Sequence, residues 1–185
     1  MTITLTLSFK GGPGSGHRGH AGRPGSVGGS VSGVGGVAGD WRAYGDAPVP
    51  RPSRQDVKKF LREEGDVELY HVTFADHVDS IRDAGLVPAR EVAMAQSWKA
   101  PHSKYATYCF ADRNAAMRSY RDMEEHGKGI AAVIKVTLPR TMETASRILP
   151  DEDVSTNPNH GLRTLLRGES VAVIGGIRPD RISVE

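Results

Sequence analysis

The chain has 185 residues and a formal net charge of +2, a size that suggests one domain of ordinary dimensions with an appended tail. So small an excess of positive charge argues against a broad basic face for nucleic acid. No segment is long and apolar enough to cross a bilayer, so the sequence predicts a soluble protein without a membrane partner. Cys109 is the only cysteine, which excludes an intrachain disulfide and a multi-cysteine zinc site and fits a reducing compartment.

Residues 2–9, Thr-Ile-Thr-Leu-Thr-Leu-Ser-Phe, alternate polar and apolar as an edge strand does. They do not read as a secretory signal, because Lys10 follows the apolar stretch instead of preceding it. From Gly11 to Gly39 the chain is built almost wholly of Gly, Ser, Val, Pro, His and Arg. It has no aromatic residue and no apolar period, so burial cannot offset its ordering entropy and a flexible or disordered tether is expected. The glycines of residues 11–17 stand at phosphate-loop spacing, but His17 occupies the place of the phosphate-binding Lys and no strand and helix flank them. Residues 1–52 are thus read as a Gly-rich tail and 53–185 as the folded domain.

Within that domain Ser53 and Asp56 form a helix cap, and Val57, Phe60 and Leu61 follow on one face. Val67 to Thr73 reads as the first strand. Asp76 to Ala84 reads as a helix burying Val78 and Ile81, with Gly85 at its C-terminal cap. Residues 88–104, with Trp98, Pro101 and His102, lack a period and read as a long functional loop. A short strand over Thr107–Ala111 precedes a helix over Arg113–Glu125 that aligns Ala116, Met117 and Tyr120 and ends at Gly127 and Gly129. The apolar run 130–138 is a strand central in its sheet. Asn157-Pro158-Asn159 marks a turn, Gly161–Arg167 a short helix, and residues 170–174 and 181–184 the last strands. Many short strands with few helices indicate an α+β fold.

Three stretches of this domain carry a family resemblance. His71-Val72-Thr73, followed by Ile81 and Gly85-Leu86, resembles the first NAD-binding motif of ADP-ribosyltransferases of the diphtheria-toxin and poly(ADP-ribose) polymerase type. Phe110-Ala111-Asp112, continuing through Ala116 to Tyr120, resembles the second. Gly168-Glu169-Ser170-Val171-Ala172-Val173, then Gly176-Ile177-Arg178-Pro179-Asp180, resembles the third as found in toxins that ADP-ribosylate DNA. Three departures stand out: Val72 replaces the family Gly, Cys109 stands where the polymerases have a Tyr, and Arg167 stands where arginine-modifying toxins have a second Glu. The tail segment Gly11–His20 resembles glycine-rich segments of phage and prophage head-region proteins.

The resemblance implies a compact ADP-ribosyltransferase-like fold, its short strands in a split mixed or antiparallel sheet with flanking helices. It implies NAD as co-substrate and no metal. Cleavage of the nicotinamide glycosidic bond passes through an oxocarbenium-like state that a carboxylate stabilises. Glu169 would be that catalytic carboxylate. Tyr120 would stack on the nicotinamide, with Tyr108 or Tyr105 as the second ring. His71 would hold a ribose hydroxyl, the Val72 main chain the carboxamide, and Thr73 would add a hydroxyl contact. The expectation is a mono-ADP-ribosyltransferase modifying a protein or nucleic acid, a phage-linked effector or toxin acting in the cytoplasm of a bacterial host. An RNA 2′-phosphotransferase of the same fold and a non-catalytic nucleotide-binding phage accessory protein are the alternatives.

Overall fold

The computed structural model describes residues 47–88, 105–126 and 130–185. The helices and strands described lie between Arg54 and Val184. Outside the described residues lie the expected edge strand 2–9, the tether 11–39, residues 89–104 of the long loop, and Gly127 and Gly129.

Helix α1 (Arg54–Arg62) starts where the sequence places it, with the Ser53 hydroxyl accepting from the Asp56 amide. Phe60 is fully buried, whereas Leu61 stays 41% exposed. Adjacent helix positions lie about 100° apart, so Leu61 is turned off the face that Phe60 commits to the core. Strand β1 (Val67–Phe74) runs into a 3₁₀ turn (Ala75–His77) and helix α2 (Val78–Ala84). The helix expected from Asp76 thus begins as a tighter turn, with no side chain capping it. Strand β2 (Ala106–Cys109), helix α3 (Arg113–His126) and strand β3 (Ala131–Leu138) follow. Helix α4 (Met142–Ala145) and strand β4 (Ile148–Pro150) have no counterpart in the sequence reading. A 3₁₀ turn (Pro158–His160) leads into helix α5 (Gly161–Leu165) and strand β5 (Val171–Ile174). A last 3₁₀ turn (Pro179–Arg181) precedes strand β6 (Ile182–Val184).

The architecture is α+β, with two three-stranded sheets in the orders β1-β3-β6 and β2-β5-β4. Every strand pairing among the described residues is antiparallel. β3 is central in its sheet, as its apolar run requires. The two sheets meet at one bridge, where the Tyr70 amide donates to the Phe110 carbonyl at 2.9 Å and the Phe110 amide to the Tyr70 carbonyl at 2.8 Å.

Alternation along the strands assigns the faces. Leu69, Cys109, Val171 and Val173 share one core with Phe60, Ile81, Ala145 and Leu162, so α1, α2, α4 and α5 cover one side of both sheets. On the opposite side α3 packs Ala116 against Tyr70 and Val133. Ahead of Ser53 the chain also packs: Ala47 lies against the buried cluster of Tyr105, Leu149, Ala172 and Ile174, and the Arg51 amide donates to Asn159 Oδ1 at 2.7 Å.

Candidate active site

The sheets part immediately beyond the Tyr70–Phe110 bridge, and main-chain alternation determines what faces the opening. In an antiparallel ladder, successive residues turn their N–H and C=O groups to opposite sides. Tyr70 bonds Phe110, so Val72 turns its own N–H and C=O in the same direction, away from β3. The Val133 carbonyl accepts from Glu185, which fits the Val72–Val133 pair being one without mutual hydrogen bonds. By the same rule Tyr108 turns its N–H and C=O toward β1. Had the ladder continued, Val72 and Tyr108 would bond each other; instead neither Val72 group bonds a described residue.

His71 occupies the point of divergence. Its Nδ1 lies 2.8 Å from the Tyr108 carbonyl. A carbonyl only accepts, so Nδ1 carries the proton, and in the neutral ring Nε2 is left as an acceptor. Burial lowers the proton affinity of this imidazole, and nearby His77 lowers it further against the opposing effect of the Tyr108 carbonyl. The neutral tautomer with an accepting Nε2 is therefore the resting form, suited to a ligand hydroxyl.

Val72 has no positive φ, as is true of every described residue other than glycine. A β-branched residue in the family glycine's place is thus free of backbone strain. Thr73 is buried, and its hydroxyl lies 3.2 Å from His77 Nδ1, so the expected ligand contact competes with a local one.

The aromatic candidates fall on the side of the sheets that carries α3. Tyr120 is half-buried beside Val72, Phe110 and Met117 against the Tyr70–Ala116–Val133 cluster, and its hydroxyl donates to Glu124 at 2.6 Å. Tyr108 lies two residues from Phe110 and points to the same side. Its ring packs on the cluster that contains Tyr105, and its hydroxyl donates to Glu152 at 2.6 Å. Burial, this bond and the charges of Glu152 and Asp151 hold the Tyr108 phenol far above its ordinary pKa. Cys109 faces the opposite, buried side, and burial pushes its thiol up to about 12, so it is an inert core residue. Val72 and Tyr120 thus share one packing cluster, Tyr108 lies on the same face of the sheets in a separate cluster, and His71 bonds the Tyr108 main chain where the sheets part.

Glu169 stands two residues before the Cys109–Val171 pair, and no hydrogen bond or packing cluster among the described residues joins it to Val72, Tyr108 or Tyr120. It is half-buried, and its amide donates to the Thr164 carbonyl at 3.2 Å. Its carboxylate bonds no described residue. Arg167 is exposed on the turn after α5, and Gly168 follows with φ of 75°. Asp112 caps α3 through the amides of Asn114 and Ala115.

The sequence reading missed Glu152 and His77. Glu152 lies in a polar stretch whose period marks nothing. Only the β4–β5 register, continued by the 3.2 Å bond from the Asp151 amide to the Ser170 carbonyl, brings it beside the Glu169 segment. Among the described residues no three side chains of His, Cys, Asp or Glu are grouped to hold a metal ion, and no helix is long and apolar enough to cross a membrane.

No family model, curated protein or solved structure matches this chain.

Proposed function

We propose that the chain is an NAD-dependent mono-ADP-ribosyltransferase acting on a macromolecular acceptor, protein or nucleic acid. The observation that carries this reading is the unpaired main chain at the opening of the sheets. There the N–H and C=O of Val72 form a donor–acceptor pair next in the chain to His71, whose Nδ1–H is bonded to the Tyr108 carbonyl and whose Nε2 is an acceptor. A primary carboxamide needs one acceptor for its NH₂ and one donor for its oxygen; a ribose hydroxyl needs an acceptor. NAD carries both. The parting of two antiparallel sheets agrees with the split sheet that the resemblance implies.

In the reaction the bond between the ribose anomeric carbon and the nicotinamide nitrogen breaks, and its electron pair leaves with neutral nicotinamide. The acceptor nucleophile bonds the same carbon and gives up a proton. Glu169 would stabilise the positive charge that develops on the ribose, and a carboxylate without a competing cation suits that role. Tyr120 would stack on the nicotinamide and exclude water. The likeness of the tail to phage head-region segments supports a phage-linked effector.

Incubation with tagged NAD and separate protein, DNA and RNA pools tests the reading. Label should enter one pool with release of nicotinamide, and Glu169→Gln should reduce kcat about 100-fold or more while NAD still binds. Absence of both label and nicotinamide release from the wild-type protein would refute transfer and leave a nucleotide-binding protein. Equal turnover by Glu169→Gln would refute the assignment of the carboxylate alone.

A further inference from the structure

Tyr108 is tied down at both ends. Its carbonyl fixes the His71 tautomer, and its hydroxyl donates a short 2.6 Å bond to the Glu152 carboxylate. A hydrogen bond from a phenol to a carboxylate is among the stronger kinds available to neutral donors. Glu152 is itself anchored: it follows Asp151, whose amide bonds the Ser170 carbonyl one residue beyond Glu169. One loop thus touches the segment of the candidate catalytic carboxylate and holds the aromatic ring that borders the opening. Tyr108 also pairs across the sheet with Ala172 of β5, a small residue that leaves the ring's position to the Glu152 bond and the Tyr105–Leu149–Ile174 cluster.

We infer that Glu152 is a positioning residue of the site: it clamps the Tyr108 side chain so that the ring forms a fixed aromatic wall for bound NAD. The inference rests on the NAD reading above and adds to it a residue outside the three motif stretches. Glu152 acts through Tyr108 and does not touch the dinucleotide. A ring fixed before NAD arrives spares the binding step the entropy of ordering it, so the clamp acts on affinity and leaves the chemical step unchanged.

The test compares NAD binding by calorimetry and steady-state turnover in the full-length protein and in Glu152→Ala, Glu152→Gln, Tyr108→Phe and the Ala/Phe double variant, each first checked for a wild-type melting curve. Glu152→Ala and Tyr108→Phe should each weaken NAD binding about ten-fold and raise KM with kcat unchanged. The double variant should be no weaker than either single one, because both remove the same link. Glu152→Gln retains an acceptor oxygen at the same reach and should bind within about three-fold of wild type. Wild-type affinity in Glu152→Ala, losses that multiply in the double variant, or a Gln variant as weak as the Ala variant would each overturn the clamp while the NAD reading stands. A wild-type protein that binds no NAD would remove both.

Discussion

One hydrogen bond sets the chemistry of His71. Because Nδ1–H donates to the Tyr108 carbonyl, Nε2 can serve a ribose hydroxyl only while the ring is neutral, and burial keeps the ring's proton affinity low. Protonation turns Nε2 from acceptor to donor. NAD affinity should therefore be constant at neutral pH and fall about ten-fold per unit once the pH drops below the depressed His71 pKa, which lies under the ordinary value of 6.5. Calorimetry across about pH 4.5–7.5 tests this. A profile unchanged in His71→Ala would show that the imidazole does not meet the ligand. Stability follows the same sign. The unfolded chain binds the proton more readily, so this contribution is complete above the ordinary value and is lost as pH falls toward the native one. His71, Tyr120 and Glu169 were legible as candidates because motif residues sit at fixed chain spacing. Glu152 was not, since its link to Tyr108 spans 44 residues and exists only through the β4–β5 register.

At the scale of elements, α2 is closed by a position that tolerates glycine alone. Gly85 has φ of 82°, and a Cβ there would stand 2.1 Å from the Ile177 carbonyl oxygen. That close approach lets Leu86 and Ile177 exchange main-chain bonds of 2.9 and 2.7 Å, stitching the end of α2 to the turn after β5. Gly85→Ala should cost about 3 kcal/mol or more, combining a left-handed backbone with a main-chain clash. Denaturant unfolding tests it, and a loss below about 1 kcal/mol would show that the bridge can shift. Local rules made this cap readable, as they did Ser53 at the start of α1. They failed for α4 and β4. A four-residue helix and a three-residue strand ending in Pro150 carry too few residues to show a period; β4 is buried along its length, and α4, half exposed, is held by the Thr141 cap and the burial of Thr144 and Ala145.

Across the whole molecule, burial is concentrated in the strands that lie inside their sheets. β5 is buried along its whole length between β2 and β4, and β3 lies between β1 and β6. Amide exchange should be slowest in β3 and β5, approaching the rate of global unfolding, and fastest in β6, a three-residue edge strand with exposed Ser183. Exchange in β6 as slow as in β3 would contradict this ranking. Sequence alone determined the α+β class, the central place of β3, the caps of α1 and α2, and a set of candidate residues, because periodicity, capping and motif spacing act within about twenty residues. Only the tertiary structure decided where the sheets part, that Val72 presents its main chain to the opening, that His71 is held as one tautomer, and that Glu152 holds Tyr108. Each of these depends on registers between strands far apart in the chain, which follow from how the whole core packs.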